Sequence, residues 1–314
     1  MTSSPVITID DLQMRFKGCE ALAGINLTVD SGNVFALLGE NGAGKSTLIR
    51  ILTGFLRATS GSCRVLGLDP RTEATEIRRK IGYVADSPTM YEWMEVDEIG
   101  WFSAGFYPDG YLENYRERIA KYHLPPRQKI RSLSKGQRGK VALSLALAHE
   151  PELLILDEPT SGLDPLVRRE FLESMVDLAA SGRTVLLSSH LLSEVERVAD
   201  QVAILHRGRI CISGNVAELR DTICEVTVKL TDPLATLPSL APPASVLVEQ
   251  TNGRQRRMLI RHFDESSESI LRDSHSVFDV TQRPAGLEDL FVACTRDAVD
   301  EISLAPAEAI EVKS

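Results

Sequence analysis

Near the start of the chain, apolar and polar residues alternate in three short runs, "VITIDDLQMRF", "INLTVD" and "VFALLG", separated by glycine and asparagine. A period of two sends every second side chain to one face, so residues 6–38 are predicted to be strands and turns. At Gly39 the period changes. A glycine-rich loop opens into "KSTLIRILTGF", whose apolar residues recur at helical spacing. Residues from about 87 to 150 keep a helical pattern with few β-branched runs, and Lys140 to His149 reads as helix. "LLILD" and "TVLLSS" then return as short apolar strands flanking a helix near 165–181. This alternation predicts βαβ units on a parallel sheet, with a helical insertion and a β-rich beginning.

Beyond "ILHRGRICISGNVAELRD" the pattern changes again. "TDPLATLPSLAPPAS" holds four prolines and reads as a linker, and the alternating runs "CEVTVKL", "SVLVEQ", "RRMLIRHF" and "VFDVTQ" follow it. The expected division is a first domain over residues 1–220 and a small α+β domain over 221–298. A short polar tail at 299–314 is expected to be disordered. No internal repeat is visible.

With 314 residues the chain has room for two domains. No apolar run reaches the roughly 18 residues of a membrane span; "VALSLALAHEPELLILD" comes nearest and is broken at His149–Glu152. The first residues lack the basic and apolar regions of a secretory signal, which predicts a chain that stays in the cytoplasm. Cys19, Cys63, Cys211, Cys224 and Cys294 are scattered without CxxC spacing, so reduced thiols in or near the core are expected, rather than disulfides or zinc. A net charge of -9 argues against nucleic acid as a partner, which calls for a basic face.

The chemistry begins with "GENGAGKST", which fits G-x-x-x-x-G-K-[ST] between a predicted strand and a predicted helix. Glycines there let backbone N–H groups converge on phosphate oxygens at a helix N-terminus. Gly39, Asn41, Gly42, Ala43, Gly44, Lys45, Ser46 and Thr47 are therefore the candidate phosphate cradle. Lys45 reaches the β and γ phosphates, and Ser46 offers a hydroxyl to Mg2+. The apolar strand "LLILDE" ends in two carboxylates, and strand carboxyl ends border the ligand crevice of a parallel sheet. Asp157 suits Mg2+, and Glu158 suits a general base that orients the attacking water. His190 closes "TVLLSSH" in the same way and can reach a γ-phosphate oxygen.

"LSKGQ" has two readings. Ser134 and Gln137 have the spacing of a capping box, in which each side chain meets the other residue's backbone N–H. A capped helix N-terminus is also an anion site. The ordered set "GENGAGKST", "LSKGQ", "LLILDEPTSGLDP" and "LLSSH" resembles the ATP-binding subunit of an ABC transporter over residues 5 to about 220. The fold class this implies is α/β, a P-loop NTPase of ABC type with a β-rich N-terminal subdomain and a helical insertion, followed by the small α+β domain.

The resemblance also implies roles and partners. Two such subunits pack head to tail, so Ser134, Gly136 and Gln137 meet the ATP held by the other chain, and Asp164 couples the two sites. Phe16 stacks on adenine. Three positions differ from the commoner pattern: Lys135 stands at a glycine position of the "LSGGQ" motif, Asp86 replaces a glutamine that bridges the Mg2+ site and the membrane partner, and Gly162 stands where alanine is frequent. Asp86 is kept as a candidate metal contact.

A permease formed by a separate membrane chain, and a second ATP-binding subunit, identical or related, are the implied partners. They place this chain on the cytoplasmic face of the membrane, with export as the implied direction. The aromatic-rich stretch "MYEWMEVDEIGWFSAGFYP" is where the permease docks in that family. Tyr91 and Trp93 are expected to be exposed there, with about half of the aromatics filling the local core.

The alternative is a soluble ABC-type ATPase acting on ribosomes or nucleic acid. Relatives of that kind carry two cassettes or a long heptad insertion, and this acidic chain has neither. A small-molecule kinase with a phosphate loop leaves Ser134–Gln137 and the Asp157–Glu158 pair unexplained.

Overall fold

The computed structural model describes residues 5–296; the expected tail at 299–314 lies outside them. Within that range the chain divides into two compact bodies. One runs to Asp200 and includes Arg207–Arg209, and the other comprises Gln201–His206 and the chain from Ile210 onward.

In the first body, β1 (Pro5–Phe16), β2 (Cys19–Asp30), β3 (Val34–Gly39), α1 (Lys45–Leu52), β4 (Ser60–Val65), α2 (Ala74–Lys80), β5 (Ile81–Val84), α3 (Val96–Ala104) and α4 (Tyr111–Lys121) follow one another. A short 3-10 turn at Ile130–Ser132 leads to α5 (Lys135–Leu147), β6 (Leu153–Asp157), α6 (Pro165–Ala180), β7 (Thr184–Ser189) and α7 (Leu192–Val195). The alternating runs at the start form an antiparallel sheet, order β2-β1-β4, with its apolar side buried. Helix α5 starts five residues before the expected Lys140. The Ser134 cap opens it at once, which fixes its first turn independently of apolar periodicity.

β3, β6 and β7 are buried along their whole length, as continuous apolar runs in a sheet covered on both faces must be. They form a parallel sheet in the order β5-β6-β7-β3. Its register pairs Val84 with Leu156, Asp157 with Ser188, and Leu38 with Ser189. Four strand ends, at Val84, Asp157, Ser189 and Gly39, therefore lie side by side along one edge.

The helical insertion has a core of its own, formed by Met94, Val96, Ile99, Tyr111, Tyr115, Ile119, Ile130, Leu133 and Val141. Tyr115 is fully buried, and its hydroxyl donates to the Val96 carbonyl at 2.6 Å. This core uses few of the aromatics at 90–108. Trp101, Phe102 and Phe106 are exposed together with the expected Tyr91 and Trp93, and Tyr107 is half-buried against His149. Tyr111 and Tyr115, one helix further on, fill the space instead. Four of the exposed rings form a chain of contacts, Trp93 to Tyr91 at 6.0 Å between centroids, Tyr91 to Phe102 at 5.5 Å and Phe102 to Phe106 at 5.6 Å.

The second body contains β8 (Gln201–His206), β9 (Arg209–Asn215), α8 (Val216–Thr222), β10 (Ile223–Leu230), β11 (Ser245–Asn252), β12 (Gln255–Arg261), α9 (Glu265–Arg272), β13 (Val277–Pro284) and α10 (Leu287–Arg296). The proline-rich stretch is loop, as expected. β11-β12-β10-β13 form an antiparallel sheet over Val226, Val228, Met258, Ile260, Leu271 and Val280. Buried Glu225 receives Arg257 and, at 2.8 Å, Arg283, and Asp289 receives Arg283 at 2.7 Å. Burial alone would raise the Asp289 carboxyl, but the Arg283 hydrogen bond and the Gly286 N–H bring it below its ordinary value.

All five cysteines are free. Cys63, Cys211 and Cys294 are buried and Cys224 is half-buried, whereas Cys19 is exposed because it opens β2 at the tip of the first hairpin. The Cys294 contact holds the Cys211 thiol down at about 7. No helix among the described residues is long and apolar enough to cross a membrane.

A Cβ on Gly100 would lie 2.1 Å from the Tyr115 ring, deep in the insertion core. Gly100→Ala is expected to destabilise the protein by about 1–3 kcal/mol through overpacking, read as a lower midpoint in thermal unfolding.

Candidate functional site

β3 delivers its buried last residue, Gly39, to the edge of the parallel sheet, and the chain then turns through residues 40–44 into α1. Gly42 (φ 87°) and Gly44 (φ 114°) take backbone conformations that side chains resist, and the Ala43 N–H donates to Glu40 O at 3.1 Å. Asn41 and Gly42 are exposed on this loop, while Ser46 and Thr47 are half-buried in the first turn of α1. Gly44 caps that helix without a side chain, so the first N–H groups of α1 have no side-chain cap bond and can receive an anion.

Lys45 is only 5% exposed. Its ammonium donates to the carbonyls of Gly39 at 2.6 Å and Glu40 at 3.2 Å, and lies 3.1 Å from Glu158 Oε1. The other carboxylate oxygen, Oε2, is 2.8 Å from His190 Nδ1, which donates to it when that nitrogen carries a proton. Glu158 thus joins the ends of three strands, with Lys45 following β3, its own position following β6, and His190 following β7. Its backbone is left-handed (φ 48°), and that conformation turns the side chain away from the path of β6.

Asp157, nearly fully buried, accepts from Ser188 Oγ at 2.7 Å, and the same hydroxyl accepts from the Glu158 N–H at 2.9 Å. One serine therefore fixes both acidic residues. Ser188 is not among the residues that the motifs single out; its signal is its position as the last-but-one residue of "TVLLSS", level with Asp157 in the parallel register. The Lys45–Glu158 ion pair had no local signal.

For Mg2+, the hydroxyl of Ser46 and the carboxylate of Asp157 are hard oxygen donors of the right chemistry. Among the described residues no group of three or more histidine, cysteine, aspartate or glutamate side chains gathers to hold a metal by itself. Mg2+ in general takes few protein ligands and completes its shell with water and phosphate. Asp86, exposed just beyond β5, lines a cavity of about 170 Å3 with Lys135, Arg138, Ser161 and Leu163, and Asp157 is not in its walls.

The remaining candidates are arranged as follows. Phe16 ends β1 at the first hairpin and is 47% exposed, available to stack. Ser134 Oγ accepts from the Gln137 N–H at 3.2 Å, and Gln137 Oε1 accepts from the Ser134 N–H at 2.9 Å, so the capping box is complete. Gly136 packs against the start of α6, and Asp164 caps that helix through the Val167 N–H at 3.1 Å.

The family model described as ABC transporter matches residues 22–161. A daunorubicin resistance ATP-binding protein of Streptomyces coeruleorubidus is 32% identical over 95% of this chain and 94% of its own length. An uncharacterized ABC transporter ATP-binding protein of Nostoc sp. is 39% identical over 63% of this chain, and the chain spans 61% of that protein's length. Among solved structures, an ATP-binding subunit of an ABC transporter superposes with a TM-score of 0.64 at 31% identity, covering 69% of this chain and 92% of the other. The glycine loop, the two carboxylates fixed by Ser188 and the histidine that meets Glu158 stand on the fold these proteins share, and the chain belongs to the ABC transporter ATP-binding proteins.

Proposed function

We propose that this chain is the ATP-hydrolysing subunit of a transporter, dimerising around two ATP molecules and driving export through a separate membrane permease. The observation that carries the reading is the Glu158 carboxylate, held between Lys45 and His190 at the mouth of the glycine loop. A water ordered by Glu158 attacks the γ-phosphorus. Its proton passes to the carboxylate, the bond to the bridging oxygen breaks, and ADP and phosphate leave. Lys45 and His190 neutralise charge on the γ-phosphoryl oxygens. Mg2+ would be held by Ser46 and Asp157, with Asp86 as a further candidate, and when bound would supply charge neutralisation on the phosphates.

In this reading the ATP-binding domain is residues 1–220. Gly39 to Thr47 cradle the phosphates and Phe16 stacks on adenine. Ser134, Gly136 and Gln137 meet the nucleotide of the second ATP-binding subunit, identical or related, and Asp164 links the two sites. Residues 221–298 form an accessory domain. The drug-resistance name of the Streptomyces relative, matched along nearly its whole length, supports export. The exposed run of Trp93, Tyr91, Phe102 and Phe106 is the docking surface for the permease, which keeps the chain on the cytoplasmic face of the membrane.

Glu158→Gln is expected to cut ATP turnover at least about 100-fold while ATP binding is retained, measured by phosphate release and by titration with a fluorescent nucleotide. Normal turnover by that variant removes Glu158 as the base. Tagged chain drawn from detergent-solubilised membranes is expected to bring a stoichiometric partner with several apolar spans, and the double substitution Trp93→Ala, Phe106→Ala to lose it. Recovery of ribosomes or nucleic acid without a membrane partner would defeat the transport reading and leave the ATPase intact.

A further inference from the structure

Strand β7 carries three buried hydroxyls, and they do different work. Thr184 Oγ1 accepts from the Gly32 N–H at 3.0 Å, and Ser189 Oγ accepts from the Leu191 N–H at 3.0 Å where the chain leaves the strand. Both serve backbone turns. Ser188, fully buried, spends its hydroxyl on β6 instead, and both of its bonds go to the acidic pair. A hydroxyl taken out of water is costly unless its bonds are met, so this placement is strongly specified.

The direction of those bonds is forced. A backbone N–H can only donate, so the Glu158 N–H gives to Ser188 Oγ at 2.9 Å; an ionised carboxylate can only accept, so the one hydroxyl proton goes to Asp157 Oδ1 at 2.7 Å. Donation to a charged acceptor makes the serine oxygen more negative, which strengthens its hold on the N–H behind it. The buried charge of Asp157 thereby acts on the backbone of the next residue.

That backbone needs holding. At φ 48° Glu158 stands in the left-handed region, and such a conformation in a residue with a Cβ persists only where its surroundings fix it. Its carbonyl accepts from the Ser161 N–H at 3.1 Å and Ser188 takes its own N–H, so the peptide groups on both sides of the strained Cα are tied. From this turn Oε1 reaches Lys45 and Oε2 reaches His190. Without the serine acceptor the N–H loses its partner, and residue 158 can relax toward ordinary backbone and carry its carboxylate away.

We propose that Ser188 is a positioning residue for the hydrolysis: it holds residue 158 in its left-handed turn, with Asp157 as the anchor, and so keeps the Glu158 carboxylate aimed between Lys45 and His190. Its two hydrogen bonds go to β6 and its end, not to the glycine loop. The loss on removing it therefore falls on kcat rather than on KM.

The role rests on the ATPase reading for its catalytic readout, so a second readout stands apart from it. Ser188→Ala is expected to lower kcat about 10- to 100-fold with KM for ATP changed less than about twofold. In a Glu158→Gln background, followed by single-turnover phosphate release, the same substitution is expected to cost less than about threefold, because residues that act as a unit are not additive. Equal losses in the two backgrounds, or a raised KM at unchanged kcat, overturn the proposal. A raised Mg2+ requirement at unchanged kcat would make Asp157 the sole residue served and overturn it as well.

The second readout needs no nucleotide. In chain labelled with 15N-histidine, the His190 ring resonances, identified by their loss in His190→Gln, report the contact with Glu158. Ser188→Ala is expected to move them in the same direction as Glu158→Ala does, and unmoved resonances overturn the proposal. If Ser188→Ala does not fold, Ser188→Cys decides, since a thiol takes up nearly the same space but is a weak donor and acceptor. A lowered kcat with a smaller shift of the same sign supports the role, and wild-type values overturn it. Absence of ATP turnover in the wild-type chain would sink the ATPase reading, and the resonances alone would then decide whether Ser188 aims Glu158.

Discussion

The Glu158 carboxylate is the constraint around which the site is assembled. A negative charge only partly open to solvent is tolerated where cations and donors face it, and here one oxygen meets Lys45 and the other His190. Those two residues follow different strands, so the arrangement exists only because the parallel register brings the ends of β3, β6 and β7 level. Ser188 completes it from within the sheet by fixing Asp157 and the Glu158 N–H with one hydroxyl. A slip of β7 by one residue would turn Ser188 to the opposite face and leave both acids unsupported.

The second body keeps its own stabilising logic. Its sheet covers an apolar core, and the charges at one side are balanced locally, two arginines against Glu225 and Asp289. A buried glutamate between two arginines is specific in geometry rather than strongly stabilising, since desolvation offsets much of the attraction.

Local patterns were the ones the sequence made visible. "GENGAGKST" carries its chemistry within nine residues, "LLILDE" joins a strand to its carboxylates, and Ser134 with Gln137 closes a cap within a single turn, so each could be read without knowing the fold. Contacts between distant residues could not. Ser188 meets Asp157 across 31 residues. The aromatics at 90–108 misled for a similar reason. Composition cannot tell which rings fill a core, and Tyr111 and Tyr115 had already taken the space that Trp101, Phe102 and Phe106 leave for solvent.

The left-handed backbone of Glu158 sets chemistry against foldability. At that conformation glycine is favoured over a residue with a Cβ by on the order of 1 kcal/mol, a cost that the contacts of the carboxylate with Lys45 and His190 offset. Glycine at position 158 would relax the turn and strip a nearly buried ammonium, 5% exposed, of its counter-ion. The strained backbone and the buried lysine are therefore held in place by the same carboxylate.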